Sequence, residues 1–293
     1  MKALVTGNLG FVGRHFLAEL ESRGYSVEVA DIRGDNPLDC REGFRNDYWT
    51  NVDLVVHCAA TIPPIDQRHA NDLLVANDLS IDAEMFQWAL RTRPRQVVYF
   101  SSSAAYPAHL QEPHMETKLI ESDIRLGFPN LPDAMYGWTK LTGEMQAQVA
   151  RKCGLKVLVV RPFSGYGSDQ SEDYPFRAMI ERAKRREPVF DVWGNGRQVR
   201  DFIHIDDIVD GVMAWLDSYK PGPVNIGTGI PVSMMQLAQE IIRQVPRYKP
   251  KIRTVDWKPT GTFYRVCNPN YFNMVYKPKV SLAEGIERAL ASR

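Results

Sequence analysis

Tyr136 and Lys140 stand four residues apart in the run Tyr136-Gly137-Trp138-Thr139-Lys140. On a helix that spacing puts both side chains on one face. A neighbouring ammonium favours the phenolate form of a tyrosine, which lowers its pKa towards a range useful for moving a proton. Ser102 ends an apolar run and could hold a substrate hydroxyl between itself and Tyr136. The N-terminal residues suit a different task. Gly7, Gly10 and Gly13 follow the apolar stretch Lys2-Ala3-Leu4-Val5-Thr6 and precede an amphipathic run to Arg23. Gly7 suits a tight turn, Gly10 the close approach of backbone to a pyrophosphate, and Gly13 the packing of helix on strand. Free N–H groups at that helix N-terminus favour an anion. Asp31 ends the next strand-like run, Ser26 to Asp31, where a carboxylate can accept from ribose hydroxyls. The triplet reads G-x-x-G-x-x-G, and neither it nor Tyr-x-x-x-Lys is specific alone. Strand before, helix after and acid at the right place make a dinucleotide site the reading.

These residues need strands that end at the site and helices that begin there. Val52 to His57 and Gln96 to Phe100 are continuous apolar runs, as expected for parallel strands covered on both faces. Helical periodicity covers 68–92, with Leu73, Leu74, Ala76, Leu79, Met85, Phe86 and Leu90, and returns from Ala134 to Lys152. Pro63-Pro64 breaks the chain before the first of these and Pro94 ends it. A strand from Lys156 to Val160 follows. Repeated βαβ units predict an α/β fold with a doubly wound parallel sheet. The proline-rich segment 107–133, with Pro107, Pro113, Pro129 and Pro132, reads as a long functional loop.

After Pro162 the rhythm changes. Gly165, Gly167, Gly194 and Gly196 mark loops around a helix near 176–186. Strand is expected at Val199 to Ile205, at Val224 to Gly227 and at Ile252 to Val255. Helices are expected from Asp206 to Leu216 with Asp206 or its neighbour as cap, from Ser233 to Ile242, and from Ser281. The reading is a dinucleotide-binding domain over 1–162, with 198–226 returning to it, and a smaller interleaved lobe from 163–197 and 227–293.

The chain has 293 residues, room for one large domain or two modest ones. Its net charge of +1 sets up no field for nucleic acid or a membrane. Arg182 to Arg186 is flanked by Glu181 and Glu187 and reads as a solvated face. Cys40, Cys58, Cys153 and Cys267 lack metal-ligand spacing and suggest no disulfide framework, so no metal and a reducing, cytoplasmic compartment are expected. Residues 1–6 lead straight into the glycine loop, so no signal peptide is expected, and no apolar run is long enough to span a bilayer.

Several ordered motifs together carry a resemblance. They are Thr6-Gly7-x-x-Gly10-x-x-Gly13, His57-x-Ala59-Ala60, Asn77, Ser101-Ser102, Tyr136-x-x-x-Lys140 and Arg161-Pro162-Phe163, then Gly194-Asn195-Gly196-x-Gln198-x-Arg200-Asp201-Phe202 and Asn225-Ile226-Gly227. The sequence resembles the extended short-chain dehydrogenase/reductase family, in its NAD-dependent sugar-nucleotide epimerase/dehydratase branch. That resemblance implies a Rossmann sheet and a catalytic trio of Ser102, Tyr136 and Lys140, with Ser103 as the alternative serine. It implies a cofactor site at Gly7, Leu9, Gly10, Phe11, Val12, Gly13, Asp31, Ile32, Arg33, Asp39, Cys40, Ala59, Ala60, Asn77 and Pro162 as well as Tyr136 and Lys140. It implies substrate contacts at Ser103, Ser164, Phe190, Arg200 and Arg265, the arginines gripping the diphosphate. Bidentate arginine suits phosphate better than a point charge. Asp31 would repel a 2′-phosphate, so NAD is expected over NADP, while Arg33 could accommodate that group. A homodimer through 68–92 and 134–152 is implied, with Phe86, Met145 and Val149 at its seam.

Departures from the family narrow the chemistry. The family's usual Asn is Ser164 here. The Asp-Glu pair of the 4,6-dehydratases falls at Ser103 and Ala104, and the cysteine of the 3,5-epimerases falls at Ala104. The expectation is therefore a 4-epimerase of a nucleotide-diphosphate sugar. A 4-ketosugar reductase is the main alternative, with a dehydratase, a 3,5-epimerase or a non-catalytic dinucleotide-binding module behind it.

Overall fold

The computed structural model describes residues 1–61, 73–126, 130–132, 134–218, 220 and 222–292, and of Leu73 and Leu74 the backbone only. The chain runs β1 (Lys2–Thr6), α1 (Phe11–Ser22), β2 (Ser26–Ala30), α2 (Cys40–Arg45), β3 (Leu54–His57), α3 (Leu73–Thr92) and β4 (Gln96–Phe100). It continues α4 (Met135–Lys152), β5 (Val157–Pro162), β6 (Ser164–Tyr166), α5 (Pro175–Lys184), β7 (Val189–Trp193) and β8 (Val199–His204). Then come α6 (Ile205–Ser218), β9 (Val224–Ile226), β10 (Pro231–Ser233), α7 (Met234–Gln244), β11 (Lys251–Val255), β12 (Tyr264–Arg265) and α8 (Leu282–Ala291).

Six strands form one parallel sheet in the order β2-β1-β3-β4-β5-β9. Alternation along the strands builds two cores. Ala3, Val5, Val56, Val98 and Val160 face Phe16 and Leu20 of α1 and Ile208, Val212 and Trp215 of α6. Leu4, Val55, Val97, Tyr99 and Val159 face Phe44 of α2, Met85 and Trp88 of α3 and Ala147 of α4. This doubly wound α/β sheet reverses its strand order at β1, with β2 to one side and β3 to the other. In such sheets the crevice beyond the carboxyl ends of the strands is where ligands bind.

The second part pairs β10-β8-β12 with β6 beside β8, and β7 with β11, under α5, α7 and α8 around Phe176, Ile180, Phe190, Leu237 and Ile286. Of segment 198–226, α6 and β9 lie on the parallel sheet, while β8 pairs within this second sheet. The described residues of segment 107–133 carry two short 3-10 turns, Ala108–Gln111 and Glu121–Asp123. It is stitched to the second part where Leu119 N–H donates to Val266 O and Asn268 N–H donates to Leu119 O.

Some local expectations change. A helix not expected from the sequence, α2, begins at Cys40, where Asp39 accepts from Arg41 N–H and caps it. Asp206 is not a cap. It sits in the first turn of α6, and its N–H donates to the His204 ring instead. Ser233 caps α7 in a reciprocal box with Gln236, and Ser281 caps α8. Phe86 is buried against Tyr99 in its own core, so it cannot lie at an intersubunit seam, whereas Met145 and Val149 are exposed. Residues 68–72, Pro63-Pro64 and Pro129 lie outside the described residues. Among the described residues no helix is long and apolar enough to cross a membrane.

Candidate active site

β1 ends at Thr6 and the chain must turn at once into α1. Gly7 makes the turn at φ +69°, and a Cβ there would lie 2.8 Å from Ala59 N. A Cβ on Gly13 would lie 2.2 Å from Gly7 O, so α1 can approach the strand only with glycine there. Gly10 precedes α1 without a side-chain cap, so the N–H groups of the first turn have no side-chain partner from that position. Asn8 is buried, and its Oδ1 has no hydrogen-bond partner among the described residues. A tight cradle with an orphaned acceptor at a helix N-terminus fits a dinucleotide pyrophosphate and its sugars. Ala59 and Ala60 follow β3 beside the cradle and are half-buried, as are Phe11 and Val12. Leu9 and Ile32 are exposed.

Asp31 reaches back to this loop. Its carboxylate accepts from Leu9 N–H (3.0 Å), from Arg33 N–H (3.0 Å) and from the Arg33 guanidinium (2.9 and 3.0 Å). Burial pushes this carboxyl up, but the bonds from Arg33 and Leu9 outweigh it and hold it below the ordinary aspartate value. Asp39 caps α2 and is held down by Arg41. The Cys40 side chain is enclosed in the core, and burial pushes its thiol up to about 12. Asn77 is exposed on α3, and Pro162 is half-buried at the end of β5.

Beyond β4 the chain enters a 3-10 turn at Ser103–Ala105, capped by Ser102, whose Oγ accepts from Ala104 N–H at 3.1 Å. The Ser102 hydroxyl proton is therefore left to donate elsewhere. Ser102 is half-buried, whereas Ser103 and Ala104 are buried. α4 presses on this turn at Gly137, where a Cβ would lie 2.3 Å from Ala104 O. Tyr136, half-buried in the first turn of α4, is the residue before that point of close approach. Lys140 is 3% exposed, its Nζ 5.7 Å from the Tyr136 ring centre and 5.4 Å from that of Tyr99. Burial pushes its ammonium down, but Asp82, Tyr136 and Asp78 outweigh burial and hold it above the ordinary lysine value. Arg161 forms a buried two-pronged bridge to Glu144 of α4 (2.8 and 2.6 Å) and donates to Tyr106 Oη. Ser101 Oγ also donates to Glu144.

Apart from Ser103, the residues expected to contact substrate lie on β6, β7, β8 and β12. β12 lies parallel to β8 with Arg265 in register with Arg200. Arg200 donates to Val199 O and Thr260 O, and Arg265 to Gln111 Oε1. Ser164 is half-buried on β6. Phe190 is not at a surface: it is fully buried in the core of this part and is a packing residue, because β7 alternates and turns Phe190 and Val192 inward. Trp193, on the other face of β7, lines a cavity of about 290 Å³ with Tyr174, Met179, Gln198, Met234 and Thr260. Gln198 is 6% exposed, and its Oε1 has no hydrogen-bond partner among the described residues. Strand alternation was the signal that could have preferred Trp193 to Phe190. The cavity itself could not be read from sequence, since it joins residues from several separate segments.

Residues 3–227 match the family model described as "NAD dependent epimerase/dehydratase family". A GDP-L-fucose synthase of Arabidopsis thaliana is 25% identical, covering 98% of this chain and 91% of its own. A dTDP-4-dehydro-6-deoxy-D-allose reductase of Streptomyces bikiniensis is 28% identical over 90% of this chain and 87% of its own. Among solved structures, UDP-glucose 4-epimerase of Thermus thermophilus, in complex with NAD, superposes with a TM-score of 0.85 at 22% identity, covering 99% of this chain and 98% of that one.

Proposed function

The chain belongs to the NAD dependent epimerase/dehydratase family, and from that premise we propose that it is a sugar-nucleotide 4-epimerase. NAD is the cofactor of that family, and the residues of the glycine cradle with Asp31 would hold it. When bound it supplies the chemistry of taking up and returning a hydride.

The chain's own residues divide the remaining work. Tyr136 accepts the proton of the C4 hydroxyl as the carbonyl forms, and returns it when the opposite configuration is made. Ser102, with its proton free to donate, steadies the same oxygen. Lys140 stabilises the phenolate of Tyr136. Arg200 and Arg265 hold the diphosphate, and the cavity at Trp193 and Gln198 takes the base. The observation that carries the C4 reading is what stands beside the trio: Ser103 and Ala104 are buried and offer neither a carboxylate nor a thiol to take a proton from a ring carbon. A 4-epimerisation needs no such base.

The test is incubation with a panel of UDP-, GDP-, dTDP- and CDP-sugars in heavy water. A C4 epimer carrying no deuterium at C3 or C5 supports the reading. Deuterium at either carbon overturns it. A second reading, a 4-ketosugar reductase, is favoured by the similarity to the allose-series reductase, and net consumption of NAD(P)H with a keto sugar would select it.

A further inference from the structure

Two carboxylates to which the proposed reaction gives no role lie one turn apart on α3. Asp78 is 2% exposed and Asp82 is 1% exposed. Asp78 accepts from Thr61 N–H at 2.6 Å. Asp82 is held from two strands. Tyr99 donates to its Oδ2 at 2.5 Å, and His57 Nε2 lies 3.3 Å from its Oδ1. Thr6 Oγ1 accepts from Ala59 N–H and lies 2.8 Å from His57 Nδ1, so the ring is held on both sides between Thr6 and Asp82.

The seam between α3, β4 and α4 is narrow because α4 has a glycine in it. A Cβ on Gly143 would lie 1.8 Å from Tyr99 Oη and 2.7 Å from Asp82 Oδ2. One turn back on α4 is Lys140, its Nζ 5.4 Å from the centre of the same Tyr99 ring. The ammonium, the phenol ring and the Asp82 carboxylate therefore share one dry space between α3, β4 and α4. An ammonium there without an anion loses its proton readily, since burial penalises only the charged form. The other titratable groups facing the seam are His57 and Cys58 at the end of β3, Cys40 at the start of α2, Asp78 on α3, and Tyr136 and Glu144 on α4.

We propose that Asp82 is a positioning residue, the counter-ion that keeps Lys140 charged and seated between Tyr99 and Tyr136, with Asp78 as a weaker second. Asp82 is enclosed, 1% exposed, and acts through Lys140. The inference rests on the Tyr136–Lys140 pairing of the proposed function.

The test reads Lys140 directly in the ligand-free protein. With lysine labelled at Cε, the Lys140 resonance is assigned by its loss in Lys140→Met. In Asp82→Asn it should titrate at least about one pH unit below the unmutated protein, a tenfold weaker hold on the proton. The alkaline limb of kcat/KM should move to lower pH by the same amount, a shift that a purely structural role would not give. Should Asp82→Asn fail to fold, Asp78→Asn should shift Lys140 in the same direction by less. A folded variant in which Lys140 titrates where it does in the unmutated protein overturns the proposal. This outcome is independent of the substrate panel, so it does not depend on whether the reaction assigned above is right.

Discussion

Arg200 and Arg265 face each other across a parallel strand pair, in register, although 65 positions of sequence separate them. Arg200 donates to Val199 O and Thr260 O, and Arg265 donates to Gln111 Oε1, so both guanidinium groups are held by hydrogen bonds. If they grip a diphosphate, Arg200→Ala and Arg265→Ala should each raise KM about tenfold or more, since a hydrogen bond to a charged group contributes roughly 1.5–3 kcal/mol. kcat should change less. The measurement is steady-state kinetics beside calorimetry with the nucleoside diphosphate alone, and unchanged KM in both variants would sink the assignment.

Tyr136→Phe keeps the ring's packing and removes the proton carrier. Turnover should fall about a hundredfold or more, in line with general acid–base contributions, while sugar-nucleotide affinity is largely retained. Turnover within a few-fold of the unmutated enzyme would exclude Tyr136 as the base.

Asp31 binds the backbone of the glycine loop at Leu9 and the guanidinium of Arg33 together. A carboxylate at that point repels a 2′-phosphate. NAD should bind more tightly than NADP, and Asp31→Ala should narrow the gap, with Arg33 left to meet the phosphate. Calorimetry with both dinucleotides decides it; equal affinities in the unmutated protein would refute the role.

The Glu144–Arg161 bridge is enclosed, with side chains 4% and 1% exposed. Glu144→Gln keeps the shape but strands the Arg161 charge, and should cost about 3–5 kcal/mol of stability. Chemical denaturation reads this, and a loss under about 1 kcal/mol would mean that Tyr106 and the Glu121 carbonyl suffice for Arg161.

Met145 and Val149 form an exposed apolar strip on α4, with Trp138 nearer its N-terminus. We propose that a second copy of the chain covers it. Light scattering at micromolar concentration should give a dimer, and Met145→Glu with Val149→Glu should give a monomer. A monomeric mass in the unmutated protein would reject the seam.

Much of the parallel sheet was legible because local signals agreed. The runs at Val5, Val55 and Val98 are apolar on both alternating faces, glycines punctuate the first turn, and Ser233 and Ser281 announce their helices. The second sheet was not legible in the same way. β6 has three residues and β12 two, too short for any periodicity, and each exists only because β8 supplies the partner. α2 was missed because its six residues carry little helical pattern, and its start depends on the cap at Asp39.

The sequence by itself determined which chemical groups this protein has and their order: the glycine turn, the acid after the second strand, the serine, the tyrosine and lysine one helical turn apart, and the family they mark. Those are local facts, set by spacing along the chain. Only the tertiary structure decided neighbours. It buried Phe190 and turned Trp193 into a cavity, drew Phe86 into its own core, aligned Arg265 with Arg200, and closed Asp82, Tyr99 and Lys140 into one seam. These outcomes depend on close approach, as at Gly137 and Gly143, where the absence of a Cβ lets two distant segments touch. No periodicity in one segment records how near another will come.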